Sequence, residues 1–209
     1  MTAARAFLSS KWRAPSPSGT VAAGDGGQMK RTEIETSLNE SRNWMLATIG
    51  RLSEEQLRAP LTKSESDPES YWSVLDHFSH LALVEGDFTS MIRRQLAGSA
   101  NPVGLLSDER GVTRTRDEIM AIVNAHADEF QRAHRDDTLS EVVALTGAAR
   151  AVTLGLLAEL SDEQLGVTLE GAPWGDGTIG SVLAANAGHA TMHWRWVTEA
   201  GFVEPGLSV

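Results

Sequence analysis

An internal repeat constrains the fold of this chain more than any other feature of its sequence. The hexapeptide Leu-Ser-Glu-Glu-Gln-Leu at residues 52–57 returns as Leu-Ser-Asp-Glu-Gln-Leu at residues 160–165, an offset of 108 residues. The same offset aligns Ser-Val-Leu at 73–75 with Ser-Val-Leu at 181–183. One offset that links both matches indicates two halves of similar architecture. The alternative is that a hexapeptide suited to ending one helix and starting the next arose twice by chance.

Apolar residues recur at helical spacing in both halves. The pattern predicts bundle helices over residues 32–51, from 71 to the breakers at 98 and 102, and over 139–159 and 178–199, with a peripheral helix over 115–135. No stretch alternates as a strand does. Two helix–turn–helix halves can bury their apolar faces by packing together. The sequence therefore predicts an all-α fold, a four-helix bundle with an extra peripheral helix.

Composition narrows the class of protein and its partners. Of the 209 residues, 41% are hydrophobic, and no apolar run approaches the roughly 20 residues that cross a bilayer. The formal charge of -10 and the lack of a basic cluster argue against nucleic acid as a partner. The chain has no cysteine, which leaves nitrogen and oxygen as metal ligands. We expect a cytoplasmic protein that binds a small-molecule substrate, with neither nucleic acid nor a membrane as partner.

The N-terminal segment differs from the rest of the chain. Residues 1–28 are rich in Ala, Ser, Gly and Pro and contain a single acidic residue, Asp25. This composition predicts a disordered tail, followed by one folded domain over residues 29–203. A true start at Met29 is an alternative interpretation. A targeting peptide is a weaker one, because the segment lacks the apolar centre of a secretory signal.

His189 and His193 form the strongest candidate for a functional site. A gap of four residues on a helix points both imidazoles the same way, so the pair can hold one metal ion. A third ligand can come from His77 or His80 on the second predicted helix. Three imidazoles with one open position form a catalytic metal arrangement. The alternative is that these are core histidines, with partners such as Asn186 on the same stripe.

Other chemically capable residues are predicted to be structural. Glu85 lies off the stripe of His80 and is expected to be solvated. His126 and His134 lie two turns apart on the peripheral helix, too far apart for one ion, and are expected at the surface. We expect Trp72, Trp194 and Trp196 to pack in the core; the alternative is that they form the wall of a substrate pocket. The loop at residues 171–177 either covers the site or only connects two helices.

Three motifs occur together in this chain. Trp72-Ser73-Val74 is followed eight residues after the tryptophan by His80-Leu81, the hexapeptide occurs in each half, and Thr178-Ile179-Gly180 leads into His189-x-x-x-His193. Together they resemble the DinB-like superfamily over about residues 30 to 200. The resemblance implies a four-helix bundle with an unusual connection between its second and third helices. It also implies a divalent metal bound by one histidine of the second helix and two of the last.

Carried over residue by residue, the resemblance gives His80, His189 and His193 as the metal ligands. His77 is the rival of His80, but the spacing from Trp72 and the following Leu81 favour His80. His77 then supports a ligand or fills the core, and the core position is favoured. Imidazole ligands suit zinc, nickel or iron better than magnesium.

The resemblance implies two kinds of function. Members of the superfamily include S-transferases that use bacillithiol or mycothiol, and mycothiol-dependent maleylpyruvate isomerases. A metal-dependent S-transferase or hydrolase is therefore expected, with a low-molecular-weight thiol as a cofactor in the first case. The Arg and Glu that lead into the metal histidine of the isomerases are not found in this chain. The alternative is a stress-related or ligand-binding bundle with a structural metal, and homodimerisation is expected for either.

Overall fold

A computed structural model describes residues 29–64, 67, 69–108 and 110–202. The predicted tail at residues 1–28 lies outside this range. The elements are α1 (Arg31–Ile49), α2 (Glu54–Arg58), β1 (Thr62–Lys63), β2 (Tyr71–Trp72), α3 (Val74–Leu96), α4 (Arg116–His134), α5 (Leu139–Glu159), α6 (Asp162–Leu165) and α7 (Ile179–Glu199). The predicted all-α class is confirmed. The antiparallel pair β1 and β2 was not predicted, because strands of two residues are too short to show alternation.

The four long helices α1, α7, α3 and α5 form a bundle in that cyclic order. Helix α3 packs against α5 and α7, and α1 packs against α7 and α5. The second and last bundle helices are therefore neighbours. Helix α4 lies outside this ring and packs on α3. The arrangement is the predicted four-helix bundle with one extra helix.

The two repeated hexapeptides adopt the same local structure. Each forms a short helix, α2 or α6, whose N-cap serine accepts a hydrogen bond from the backbone N–H of the glutamine three residues later. The glutamine side chain accepts from the serine N–H in return, at 2.9 Å for Ser53 and 2.8 Å for Ser161. Beyond each turn, an antiparallel pairing precedes the next helix, Thr62 with Trp72 and Thr168 with Thr178. The repeat therefore corresponds to two similar structural halves.

The buried apolar residues of the bundle form two clusters. One contains the first turns of α1 and the second half of α3, including Leu38 and Phe88. The other contains the end of α1 and the start of α3, including Met45 and Phe78. Helices α5 and α7 contribute to both clusters, so both extend across the bundle.

A layer of polar side chains, here called the polar layer, separates the two clusters along every bundle helix. It contains Arg42 of α1, Glu85 of α3, Arg150 of α5 and Asn186 of α7, around a cavity of about 20 Å³. Arg150 Nε donates to Glu85 Oε1 at 2.5 Å, and Arg150 Nη1 donates to the Leu38 carbonyl. Burial and the nearby Arg150 guanidinium lower the pKa of Arg42. The layer therefore joins α5 to both of its neighbours, α3 and α1, through charged hydrogen bonds.

The prediction that Glu85 is solvated is wrong. Its residue is 4% exposed, and its carboxylate pairs with a guanidinium that is 65 positions away in sequence. A buried carboxylate is retained as an ion only with such a partner. No residue near Glu85 in the sequence indicates that Arg150 is its partner. The position of Glu85 off the His80 stripe was therefore a misleading guide to its burial.

Within the described residues, α5 is the one helix that is long and apolar enough, by length and composition, to cross a bilayer. Its 21 residues include Glu141 and Arg150, so it is not an unbroken apolar run. The criterion is weak evidence for a membrane span, because core helices of bundles also meet it. Arg150, near the middle of α5, is engaged in the polar layer.

Removal of either partner of the Arg150–Glu85 pair leaves an uncompensated buried charge. We expect Glu85→Ala to lower the free energy of unfolding by about 3–5 kcal/mol, measured by urea denaturation. The matched control is Arg93→Ala, which removes a pair with Glu159 whose side chains are 53% and 66% exposed. That exposed pair contributes about 1 kcal/mol or less. Equal losses in the two variants would contradict the role assigned to the polar layer.

Candidate metal centre

Three histidines from two neighbouring helices meet at the inner face of the bundle. His80 lies in the second turn of α3, and His189 and His193 lie one turn apart on α7. His193 Nε2 and His189 Nε2 are 3.0 Å apart, and the His80 ring centroid lies 5.0 Å from that of His193. One ring nitrogen from each of the three lies within 4.8 Å of the others. The structure therefore brings together the three residues predicted as ligands.

The three imidazoles are buried and neutral. Their residues are 8%, 4% and 3% exposed for His80, His189 and His193. Burial lowers the pKa of His80 to about 4, assisted by His126 and opposed by the Asp128 carboxylate. Burial and then the neighbouring imidazoles hold the pKa of His189 and His193 well below the usual value. A neutral imidazole is the form that binds a metal, so the cluster presents three ligand groups without prior loss of a proton.

His77 contacts the cluster from behind. Its Nδ1 lies 2.8 Å from His193 Nδ1, and its Nε2 lies 2.7 Å from Thr62 Oγ1. Burial and then the neighbouring His80 imidazole lower the pKa of His77 to about 3, so this ring is also neutral. One proton arrangement satisfies both contacts with His193 Nε2 free: His193 Nδ1–H donates to His77 Nδ1, and His77 Nε2–H donates to Thr62. His77 therefore supports a candidate ligand instead of merely filling the core, the position favoured from the sequence.

The donor set fits a divalent metal. Within the described part of the chain, His80 Nδ1 is a buried nitrogen with no hydrogen-bond partner. A buried polar atom without a partner is costly, and a cation among the three rings would compensate that cost. Three nitrogen ligands and an open side suit zinc, nickel or iron. His77 is the kind of outer hydrogen-bond partner that orients a metal-bound histidine.

A pocket of about 560 Å³ opens directly beside the four histidines. The peripheral helix α4 forms one wall of this pocket with Ile119, Met120 and Val123. The apolar spacing of α4 was visible in the sequence, but the surface that it covers was not. A volume of this size is typical of small-molecule sites.

Two buried contacts hold α4 against the start of α3. Gln131 Nε2 donates to Asp76 Oδ1 at 3.0 Å, and the Trp72 indole N–H donates to Asp128 Oδ1 at 3.1 Å. Asp128 also accepts from the Ser64 hydroxyl at 2.7 Å. These bonds fix the α4 wall relative to His80, which follows Trp72 on the same segment.

The tryptophans divide between pocket and core. Trp72, Trp174 and Trp196 line the pocket, and Trp174 in the 171–177 loop packs against Phe88 at a centroid distance of 4.4 Å. The loop therefore forms part of the pocket wall. Trp194 packs on Phe78, with ring centroids 6.1 Å apart. The prediction of core packing is confirmed for Trp194, whereas the other two predicted core tryptophans, Trp72 and Trp196, also wall the pocket.

The remaining histidines lie away from this cluster. His126 Nε2 is 3.7 Å from Asp87 Oδ2 with its side chain 51% exposed, and His134 Nδ1 is 2.8 Å from Asp137 Oδ2 with its side chain 27% exposed. His126 is thus a surface residue, as predicted, and His134 is half-buried.

The fold and the site define a class: a four-helix bundle whose second and last helices present three histidines to a pocket. The chain belongs to the DinB superfamily, whose sequence profile matches residues 38–197. A crystal structure of an uncharacterised protein from Escherichia coli UTI89 has the same fold, with a TM-score of 0.50 and 15% identity over 85% of this chain and 98% of that one. No protein of established annotation matches this sequence.

Substitution of His77 tests its supporting role. We expect His77→Ala to weaken zinc binding by about 10–100-fold, because His193 loses the partner that orients it. His80→Ala should weaken binding far more, because it removes a ligand. Competition with a chromophoric chelator at neutral pH measures both affinities. His126→Ala is the matched control and should bind zinc as the parent does. If His77→Ala and His80→Ala lose equal affinity, His77 is itself a ligand.

Proposed function

We propose that this protein is a metal-dependent enzyme of thiol S-transferase or hydrolase type that acts on a small molecule. The observation that carries the proposal is the placement of three buried, neutral imidazoles along an open pocket of about 560 Å³. A purely structural site is usually closed by a fourth protein ligand, whereas a catalytic site keeps a position free. In the part of the chain that the structure describes, the group that could hold an ion comprises His80, His189 and His193.

In this proposal the protein orients the metal-binding histidines and forms an apolar wall beside them. A divalent ion at the three histidines supplies a Lewis acid that lowers the pKa of a bound thiol or water. His77, itself in contact with Thr62, contacts His193 Nδ1 and orients that ring. The apolar side chains of α4 and the pocket tryptophans form an apolar wall beside the histidines, and electrostatic interactions are stronger against such a wall than in bulk water. The absence of cysteine leaves a small thiol such as mycothiol or bacillithiol as the sulfur nucleophile for the transferase.

The second candidate is a non-catalytic, stress-related or ligand-binding bundle with a structural metal. This candidate is favoured by the location of the histidines. His80 lies on α3, in the first half of the repeat, whereas His189 and His193 lie on α7, in the second half. A metal between them would link the two halves and stabilise the fold. Homodimerisation and a cytoplasmic location are part of the proposal for either candidate.

Elemental mass spectrometry of protein purified without chelator tests the metal site. We expect about one ion of zinc, nickel or iron per chain in the parent, because three neutral imidazoles converge. The triple variant His80→Ala, His189→Ala, His193→Ala should contain none. The double variant His126→Ala, His134→Ala is the matched control and should retain the ion. A parent without metal would refute both candidates.

Activity and stability assays then separate the two candidates. For the enzyme, loss of free thiol in the presence of an electrophile and mycothiol or bacillithiol should require the metal, as should hydrolysis of an ester when no thiol is added. For the structural alternative, chelation should lower the melting temperature strongly and no metal-dependent turnover should occur.

A further inference from the structure

The pocket beside the histidines differs in charge from the rest of the protein. The chain carries a formal charge of -10, yet the charged residues that line the pocket are Lys63, Arg195 and Asp128. The one carboxylate is only 4% exposed, and hydrogen bonds from Trp72 and Ser64 occupy its two oxygens. Lys63 and Arg195 therefore remain available to a ligand, in a protein with a net negative charge.

The two cations reach the pocket from different halves of the fold. Lys63 is an exposed residue of β1, and Arg195 lies on α7 two residues past His193 with its side chain 45% exposed. The histidines are 8% exposed or less. The cations are therefore at the rim of the pocket and the histidines at its floor.

Arg195 also has an exchangeable partner. Its Nε is 3.5 Å from Glu199 Oε1, one turn further along α7, and the Glu199 side chain is 64% exposed. An exposed pair of this kind contributes little free energy. A carboxylate arriving from solvent can therefore replace Glu199 at low cost.

Apolar surface separates the cationic rim from the histidines. Ile119, Met120 and Val123 of α4 form one side, and Trp174 and Trp196 also line the space. Ile119 and Trp174 are 4% and 7% exposed, so they form fixed walls. A ligand that fills this space needs an apolar body.

We propose that the pocket binds a small organic acid, with its carboxylate held by Lys63 and Arg195 and its apolar body against α4 and the tryptophans. The inference deepens the proposed function, because it identifies the substrate class of the same pocket. The carboxylate at the rim leaves the opposite end of the molecule facing the histidines.

A pair of probes with one body and different charge tests the proposal. 4-Phenylbutyrate and 4-phenylbutyramide are titrated into the full chain by ligand-observed NMR, first without metal and then with zinc. The metal-free titration excludes direct coordination of the carboxylate to the ion. We expect the acid to bind at least about fivefold more tightly than the amide, and this preference to shrink as salt is added.

Single substitutions identify the cations. We expect Lys63→Gln and Arg195→Gln each to weaken binding of the acid about threefold to fivefold and to leave binding of the amide unchanged. Glu199→Gln should strengthen binding of the acid, because it removes the competing carboxylate. The matched control is Arg93→Gln, which removes an exposed cation outside the pocket and should have no effect.

Equal affinity for acid and amide, or no binding of either probe, would overturn the inference. So would a loss in Arg93→Gln equal to that in Arg195→Gln. These readouts need no turnover and no metal, so the acid preference can hold when the enzyme assay fails. Conversely, a pocket with no preference for the acid would leave the proposed metal binding and thiol-dependent activity uncontradicted.

Discussion

The buried ion pair between Arg150 of α5 and Glu85 of α3 is the constraint on which the rest of the bundle depends. Its charges can remain in the interior only if each helix keeps its register, because a shift of one turn would leave both groups unpaired. The Arg150 bond to the Leu38 carbonyl extends this requirement to α1. The pair thus selects the alignment in which the histidines of α3 and α7 meet.

The histidine cluster is a continuation of that polar interior. Asn186 of the polar layer precedes His189 by three residues on α7, so the same face of the helix passes from the layer to the candidate ligands. Each group in this region is desolvated, and hydrogen bonds from other elements hold most of them in place. Thr62 and His77 do this for His193, while Trp72 lies against the His80 ring at 5.2 Å. A metal ion here would occupy an environment that is already ordered.

The helices and the His189–His193 pair could be predicted because both signals are local, whereas His80 was chosen over His77 only through the resemblance to the DinB-like superfamily. Helical spacing needs only neighbouring residues, and the four-residue gap between His189 and His193 determines their common direction. The assignment that failed depends on a distant partner: Glu85 looked solvated because Arg150 is on another helix. The peripheral position of α4 was predicted, but its docking through Gln131 and Asp128 was not, because that docking depends on tertiary contacts. The β1–β2 pairing was too short to leave a pattern.

The position of α4 in the chain has a consequence for how such bundles can diversify. This helix belongs to the connection between the two repeated halves, yet it supplies one wall of the pocket. The bundle helices that carry the histidines belong to the two repeated halves. Selectivity is therefore modular: an altered or exchanged connecting segment would present a different wall to the same reactive centre, while the scaffold that holds the centre stays intact.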